Sequence, residues 1–242
     1  MISINDIMVK REMLYSLAPF SDAVKSLKRR TDLIDFTFSD LRLYGSSLAK
    51  EGVIRILEGE ILEEIPVFEH RLCEAHKNLL TKFEDITDMG MDIDSAVLNE
   101  FSMIISGTDI PRYRDGSPLL YHLGFVPCDT ERITSELTEA LAFVKRYEAE
   151  DVCLKAAMLH NKIIKVYPFT EGLSELSARA AMQYTLIKEG FFTVDIGISE
   201  SEYNRLTADS VQSDNDSALG GILKNAIYKK LNYLVESVES GV

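Results

Sequence analysis

The stretch from Leu154 to Gly190, LKAAMLHNKIIKVYPFTEGLSELSARAAMQYTLIKEG, reads as a helix, a tight turn and a second helix, and the rest of the chain has to pack around it. Val152, Ala156, Leu159, Ile163 and Val166 recur at spacings of four and three, and Cys153, Ala157, His160, Ile164 and Tyr167 form the adjacent stripe. A helix apolar over so much of its girth belongs at the centre of a fold, enclosed by others. Pro168 ends it, because proline disfavours helical backbone in the residue before it and brings no amide donor. Gly172 supplies the backbone freedom for a sharp reversal. Leu173, Leu176, Ala180, Tyr184 and Ile187 then carry a helical period to Lys188 and Glu189, and Gly190 stands where a left-handed C-terminal cap is expected.

At 242 residues the chain can build one substantial domain, or a core domain with a helical extension, and the second is favoured. A hydrophobic content of 46% with 13 glycines and 6 prolines fits a compact, helix-rich globule. Cys73, Cys128 and Cys153 show neither metal spacing nor an even-numbered framework, which reads as plain thiols in a reducing compartment. The N-terminal MISINDIMVKREML has no basic region followed by an apolar block, so no secretion signal is expected. No apolar run approaches the ~18 residues needed to span a bilayer. The expectation is a soluble cytoplasmic protein with no membrane partner. A net charge of −13 repels phosphate backbones over a Debye length of about 8 to 10 Å, so no nucleic-acid partner is expected. A free nucleotide would be opposed too, unless a magnesium ion came with it.

Along the chain, Ala18-Pro19 closes a first helical patch, and Ser21 or Asp22 caps a second that carries the basic cluster Lys25, Lys28, Arg29 and Arg30, read as a solvated face. Val53 to Ile86 reads as one or two amphipathic helices interrupted near Pro66, and His70 and His76 within it lack a second ligand at metal spacing. A polar connection from Thr87 to Asp94 marks the expected boundary, giving a 1–90 extension and a 91–242 core. Ser95 to Ile105 is a short helix. Gly107 to Cys128, GTDIPRYRDGSPLLYHLGFVPC, is rich in turn signals and aromatics; Asp115-Gly116 signals a hairpin and LLYHLGFV a returning strand. Asp129 or Thr130 caps a helix to Arg146. Ser199 to Glu202 forms a capping box, DSVQSDNDSALGG reads as a polar loop, and Ile222 to Val238 closes the chain as a helix.

LHNKIIKVYPFTEG resembles the core of the Fic (Fido) domain, whose signature reads H-P-F-x-(D/E)-G-N-G-R-x-x-R between two helices. Pro168, Phe169, Glu171 and Gly172 stand at the family's Pro, Phe, acidic residue and first Gly. Tyr167 replaces the catalytic histidine, Leu173-Ser174 the Asn-Gly pair and Glu175 the first arginine; the second arginine falls on Ala178, with Arg179 one place late. His160 matches a histidine the family often carries two turns before the signature. Upstream, Ser47 to Gly52, SLAKEG, is similar to the (S/T)-x-x-x-E-(G/N) inhibitory motif, whose glutamate, here Glu51, pairs in the family with the second arginine. Ser47, Glu51 and Gly52 equally read as residues that steady a helix turn and bend the chain. Pro111-Arg112-Tyr113-Arg114 resembles the G-x-Y-R entry to the family's flap, with Pro111 departing from the usual glycine; the flap is a hairpin whose edge binds the target protein by strand pairing. Arg114, Asp115, Gly116, Tyr121 and Phe125 are then the expected target-binding residues, and His122 a solvated strand residue.

The resemblance implies an all-α Fic-like core with a small β-hairpin flap and an N-terminal helical extension. It also implies an activity, transfer of AMP from ATP to a target hydroxyl. That chemistry needs a base, an anion cradle at a helix N-terminus, a carboxylate on Mg²⁺ and a cation on the distal phosphates. Tyr167 at the catalytic position is a poor base, since with a pKa near 10 about one tyrosine in a thousand is ionised at pH 7. Losing general-base help costs ~10²- to 10⁴-fold in rate. Gly172, Leu173, Ser174 and Arg179 are the altered cradle. Glu171 either holds Mg²⁺ or, with no metal at all, complements the helix dipole. Glu175 puts a negative charge where the family has a cation and faces Arg179 across one turn, an i, i+4 pair; with a turn one residue longer, Arg179 would instead meet Glu51. Mg²⁺ and ATP are the implied cofactors, and none is the equally open alternative. Three functions follow: a weakly active or inactive member acting through target binding or regulation, a slow or altered nucleotidyl or phosphoryl transferase using Mg²⁺ at Glu171, and a plain helical interaction module whose pocket Tyr167 and Leu173 fill. These patterns do not encode an oligomeric state.

Overall fold

The computed structural model describes residues 2–147, 151–170 and 172–240. In chain order the helices are α1 (Ile4–Ser16), α2 (Asp22–Leu43), α3 (Lys50–Leu57), α4 (Val67–Asp88), α5 (Ser95–Ser106), α6 (Ile133–Arg146), α7 (Val152–Val166), α8 (Leu173–Lys188), α9 (Glu200–Ser213) and α10 (Ser217–Glu239). A single 3₁₀ turn, Thr130–Arg132, leads into α6. Side-chain caps start several of them: Ser3, Ser21, Asp94, Asp151 and Ser199 each accept a hydrogen bond from a backbone amide of the first turn. Each such cap contributes about 1 kcal/mol.

The helix pair on either side of Pro168 is the centre. α6 and α10 pack on α7, α5 and α4 pack on α8, and α1 lies on α10. One core cluster gathers Phe83, Phe101, Ile163, Ile164, Phe169 and Tyr184. A second gathers Cys153, Ala156, Ala157 and Met182 with Phe192, Leu223 and Leu231. A third, formed by α2, α3 and α4, reaches the pair through Leu176. From Leu173 to Leu186 every residue of α8 except Glu175 is buried. Its periodic stripe understated this, because Ser174, Ser177, Ala178 and Ala181 look polar or small in sequence and are buried as close-approach positions. Leu79 and Phe83 of α4 share the first cluster with Val97 and Phe101 of α5, so residues from both sides of position 90 pack together.

Two expectations are corrected. Among the described residues there is no strand, and the hairpin expected between Gly107 and Cys128 is an irregular loop with one isolated antiparallel bridge, Tyr113 to Phe169. LLYHLGFV winds into a turn, with the amides of Leu123 and Gly124 both donating to Leu120 O. That turn buries Leu120 and Leu123 together. Residues three apart share a face only on a helical turn; on a strand they point to opposite sides. The second correction concerns DSVQSDNDSALGG, which is helical except for Asp214 to Asp216. Asp214 closes α9 in the left-handed conformation, and Gly220 lies inside α10, where an added Cβ would sit 3.4 Å from Leu154 Cα. The glycine there permits close helix packing and does not break the chain.

Candidate functional site

Tyr167 ends α7 in the left-handed region, at φ 49°, and Gly172 precedes α8 at φ 74°. A left-handed backbone costs a tyrosine of order 1 kcal/mol, so its surroundings have to hold it there. Arg114 does much of that. Its guanidinium donates to the carbonyls of Tyr167 at 2.7 Å, Val166 at 3.3 Å, Gly116 at 2.9 Å and also Cys128. It satisfies the open carbonyls at the C-terminus of α7 and ties the middle and the far end of the 107–128 loop to that helix. Ser174 fastens the other side, accepting from Phe169 N at 2.7 Å and donating to Phe169 O at 3.0 Å. Gly172 is packed under Tyr44, whose ring carbon would lie 3.1 Å from an added Cβ.

Beneath the loop is a cavity of about 620 Å³, whose wall includes Tyr44, Tyr167, Phe169, His122, Glu175 and Glu200. Glu175 is its focal group. Its Oε1 accepts from the Tyr167 hydroxyl at 3.1 Å and lies 2.9 Å from His122 Nε2. Burial alone would raise the pKa of Glu175, but the His122 hydrogen bond and the charge of Arg179 outweigh it, and the carboxyl is held below its usual range. The same hydrogen bond raises the pKa of His122 against an opposing effect of burial. Burial and then the Glu175 charge push the Tyr167 phenol well above its usual value. Tyr167 is thus a neutral donor to Glu175, and His122, read from sequence as a solvated strand residue, faces the cavity.

Arg179 is buried, as it must be to matter, but turns away from the expected partners. Its Nε is paired with Asp40 of α2, and Asp40 Oδ2 lies 2.8 Å from Nε2 of the fully buried His76. Burial opposes ionisation of both Arg179 and Asp40; their mutual attraction wins, raising the arginine pKa and lowering the aspartate pKa. The guanidinium lies 5.4 Å from the centre of the Tyr203 ring, and its Nη1 and Nη2 have no hydrogen-bond partner among the described residues. Tyr203 bonds His160 Nε2 at 2.5 Å, His160 Nδ1 meets Asn161 Oδ1 at 2.8 Å, and Asn161 donates to Asp216 at 2.7 Å. His160 is therefore a buried link in a polar chain. Asp40, His76, Tyr203 and Glu200 were missed from sequence. The one signal for the first was a carboxylate set on the apolar face of Phe36, Leu41 and Leu43.

The remaining expected residues fall as follows. Ser47 and Glu51 are exposed, and the cap of α3 is Ala49 with no side-chain bond. Neighbouring Ser46 instead accepts from Leu48 N and donates to Glu69. Arg179 pairs with Asp40 and not with Glu51 or, by hydrogen bond, Glu175, because Asp40 presents its carboxylate from the buried face of α2. Gly52 is a close-approach position against Leu48. Of the flap residues, Arg114 is buried and fully employed in carbonyl bonds; Asp115, Gly116 and Tyr121 are exposed, and Phe125 packs against the first core cluster. Leu173 is buried beneath the turn and does not fill the cavity. Glu171 lies outside the described residues, and with it the Mg²⁺ expectation. Among the described residues no three His, Cys, Asp or Glu side chains gather as a metal site. No helix there is long and apolar enough to cross a membrane.

Of the side chains that line the cavity, Arg114 bonds carbonyls and His122 bonds Glu175, while Glu175, Glu200 and Asp115 bring carboxylates. The first-turn amides of α8 are partly used as well, Leu173 N by Thr170 O and Glu175 N by Gly172 O.

A family model described as Fic/DOC family matches residues 66–186, half of the chain. Several solved structures are similar in fold. A Fic domain containing signaling protein from Bacteroides thetaiotaomicron VPI-5482 is 18% identical with a TM-score of 0.76, covering 97% of this chain and 98% of its own. Residues 134–508 of Fic-1 from C. elegans are 16% identical with a TM-score of 0.74, covering 97% and 74%. A Fic family protein from Desulfovibrio desulfuricans G20 is 14% identical with a TM-score of 0.65, covering 96% and 76%. No curated protein matches the chain.

Proposed function

The chain belongs to the Fic/DOC family, and from that premise we propose that it works as a binding or regulatory member whose transfer of AMP from ATP to a target hydroxyl is lost or very slow. One observation carries the reading. Where the transfer chemistry calls for a phosphate-binding cation, the cavity holds the Glu175 carboxylate, anchored by Tyr167 and His122. An ionised carboxylate at that depth opposes a phosphorylated donor by several kcal/mol unless the donor's charge is neutralised. The tyrosine beside it is a hydrogen-bond donor that binds its proton more tightly than a free phenol. The 107–128 loop then remains as the surface for a target protein, with Tyr121 exposed at its tip.

A second reading, a slow or altered nucleotidyl or phosphoryl transferase with Mg²⁺ at Glu171, is favoured by His122, an imidazole in the same cavity positioned by a carboxylate. An open cavity counts against the third, a module with a filled pocket. The two leading readings separate on incubation of the chain with Mg²⁺, isotope-labelled ATP and a cell extract. The expected result is no protein labelled above the level seen without the chain. Labelling that depends on the chain and disappears in His122→Gln would establish the second reading.

A further inference from the structure

The cavity has the opposite electrostatic character from a phosphate site, and we propose that it receives a cationic side chain, a guanidinium or ammonium group, from a basic segment of a partner protein. This rests on the reading above that the site no longer serves a phosphorylated donor. Three carboxylates reach its wall from three different elements, Glu175 from α8, Glu200 from the start of α9 and Asp115 from the loop. Both hydrogen bonds of Glu175 fall on Oε1, which leaves Oε2 without a hydrogen-bond partner among the described residues. The side chain is only 13% exposed, so its charge is weakly screened by water. Glu200 and Asp115 form no ion pair among the described residues. Against them the wall sets one guanidinium, Arg114, bonded to four carbonyls, and one imidazole, His122, bonded to Glu175, so carboxylates remain in excess.

The other lining groups fit the same guest. Tyr44, Tyr167 and Phe169 bring aromatic rings to the wall, and a cation over such a ring gains further attraction where water is displaced. At about 620 Å³ the cavity admits a long side chain together with part of the backbone that carries it. Leu119 of the wall and the nearby Tyr121 are 76% and 84% exposed, which suits the residues flanking a basic anchor. The net charge of −13 draws basic partners from a distance and repels acidic ones.

The test compares two capped peptides, Gly-Leu-Arg-Leu-Gly and the same peptide with citrulline, which is neutral and nearly isosteric, titrated calorimetrically into the full chain. The arginine peptide is expected to bind roughly tenfold tighter or better, as charge-assisted hydrogen bonds allow. That advantage disappears in Glu175→Gln and shrinks in Glu200→Gln, a substitution on an exposed residue that leaves the fold intact. Equal affinities, no binding of either peptide, or an advantage that survives both substitutions would overturn the proposal. Mg·ATP is titrated alongside. If neither it nor the arginine peptide binds, only the cationic guest is wrong; if Mg·ATP binds and the peptide does not, the loss of the nucleotide site is wrong as well.

Discussion

His160 and Glu175 show how little a residue's type says about its role until its neighbours are placed. Glu175 reads in sequence as a negative charge at a cation's place and an i, i+4 mate for Arg179, and becomes a cavity anion only when His122 arrives from a loop 53 residues earlier in the chain. His160 was visible as part of an apolar stripe, and burial makes it a neutral imidazole whose pKa falls from 6.5 to about 4. The sign of its effect follows. Between those values the unfolded chain binds a proton that the folded chain does not, so stability rises with pH across the window and is lost as pH falls from 6.5 towards 4. The loss amounts to something on the order of 3 kcal/mol. Urea unfolding at a series of pH values should show this slope in the wild-type chain and a flatter one in His160→Gln. An unchanged slope would place the proton elsewhere.

At the scale of elements, the helices were legible and the connections were not. Periodicity located α7 and α8, Pro66 separated α3 from α4, and serine caps marked the starts of α2 and α9. These are local signals. The 107–128 loop failed because its conformation is set from outside: Arg114 binds carbonyls of α7, and Tyr113 pairs with Phe169 across the Pro168 turn. Asp115-Gly116 and the β-prone run after it announce a turn and extended chain, and carry no information about that distant partner. Gly220 misled in the same way, since a glycine allowing two helices to touch is indistinguishable in sequence from one that ends a helix. Arg114→Ala removes hydrogen bonds to four carbonyls and should cost more than about 2 kcal/mol. Hydrogen exchange should quicken across 107–128 and at the end of α7, with α5 and α10 little changed. Uniform exchange over the whole chain would mean that the loop is held by something else.

For the whole molecule, three core clusters meet on the α7–α8 pair, and the first of them takes in Tyr167 and Phe169 of the turn itself. In the turn between the two helices Ser174 bonds Phe169 and Gly172 is left-handed, while Glu175 faces the cavity and Arg179 is paired inside with Asp40, itself bonded to His76. The sequence resemblance reached this far because signature positions are adjacent in the chain. The pairing of Arg179 spans 139 residues, and the chain gives no local mark of it. The account's central claim, that the cavity no longer accepts a phosphorylated donor, is most directly tested by calorimetric titration of Mg·ATP into the wild-type chain. It predicts no saturable binding at concentrations up to about 1 mM, a free energy weaker than about −4 kcal/mol. Saturable binding with a micromolar dissociation constant would contradict it.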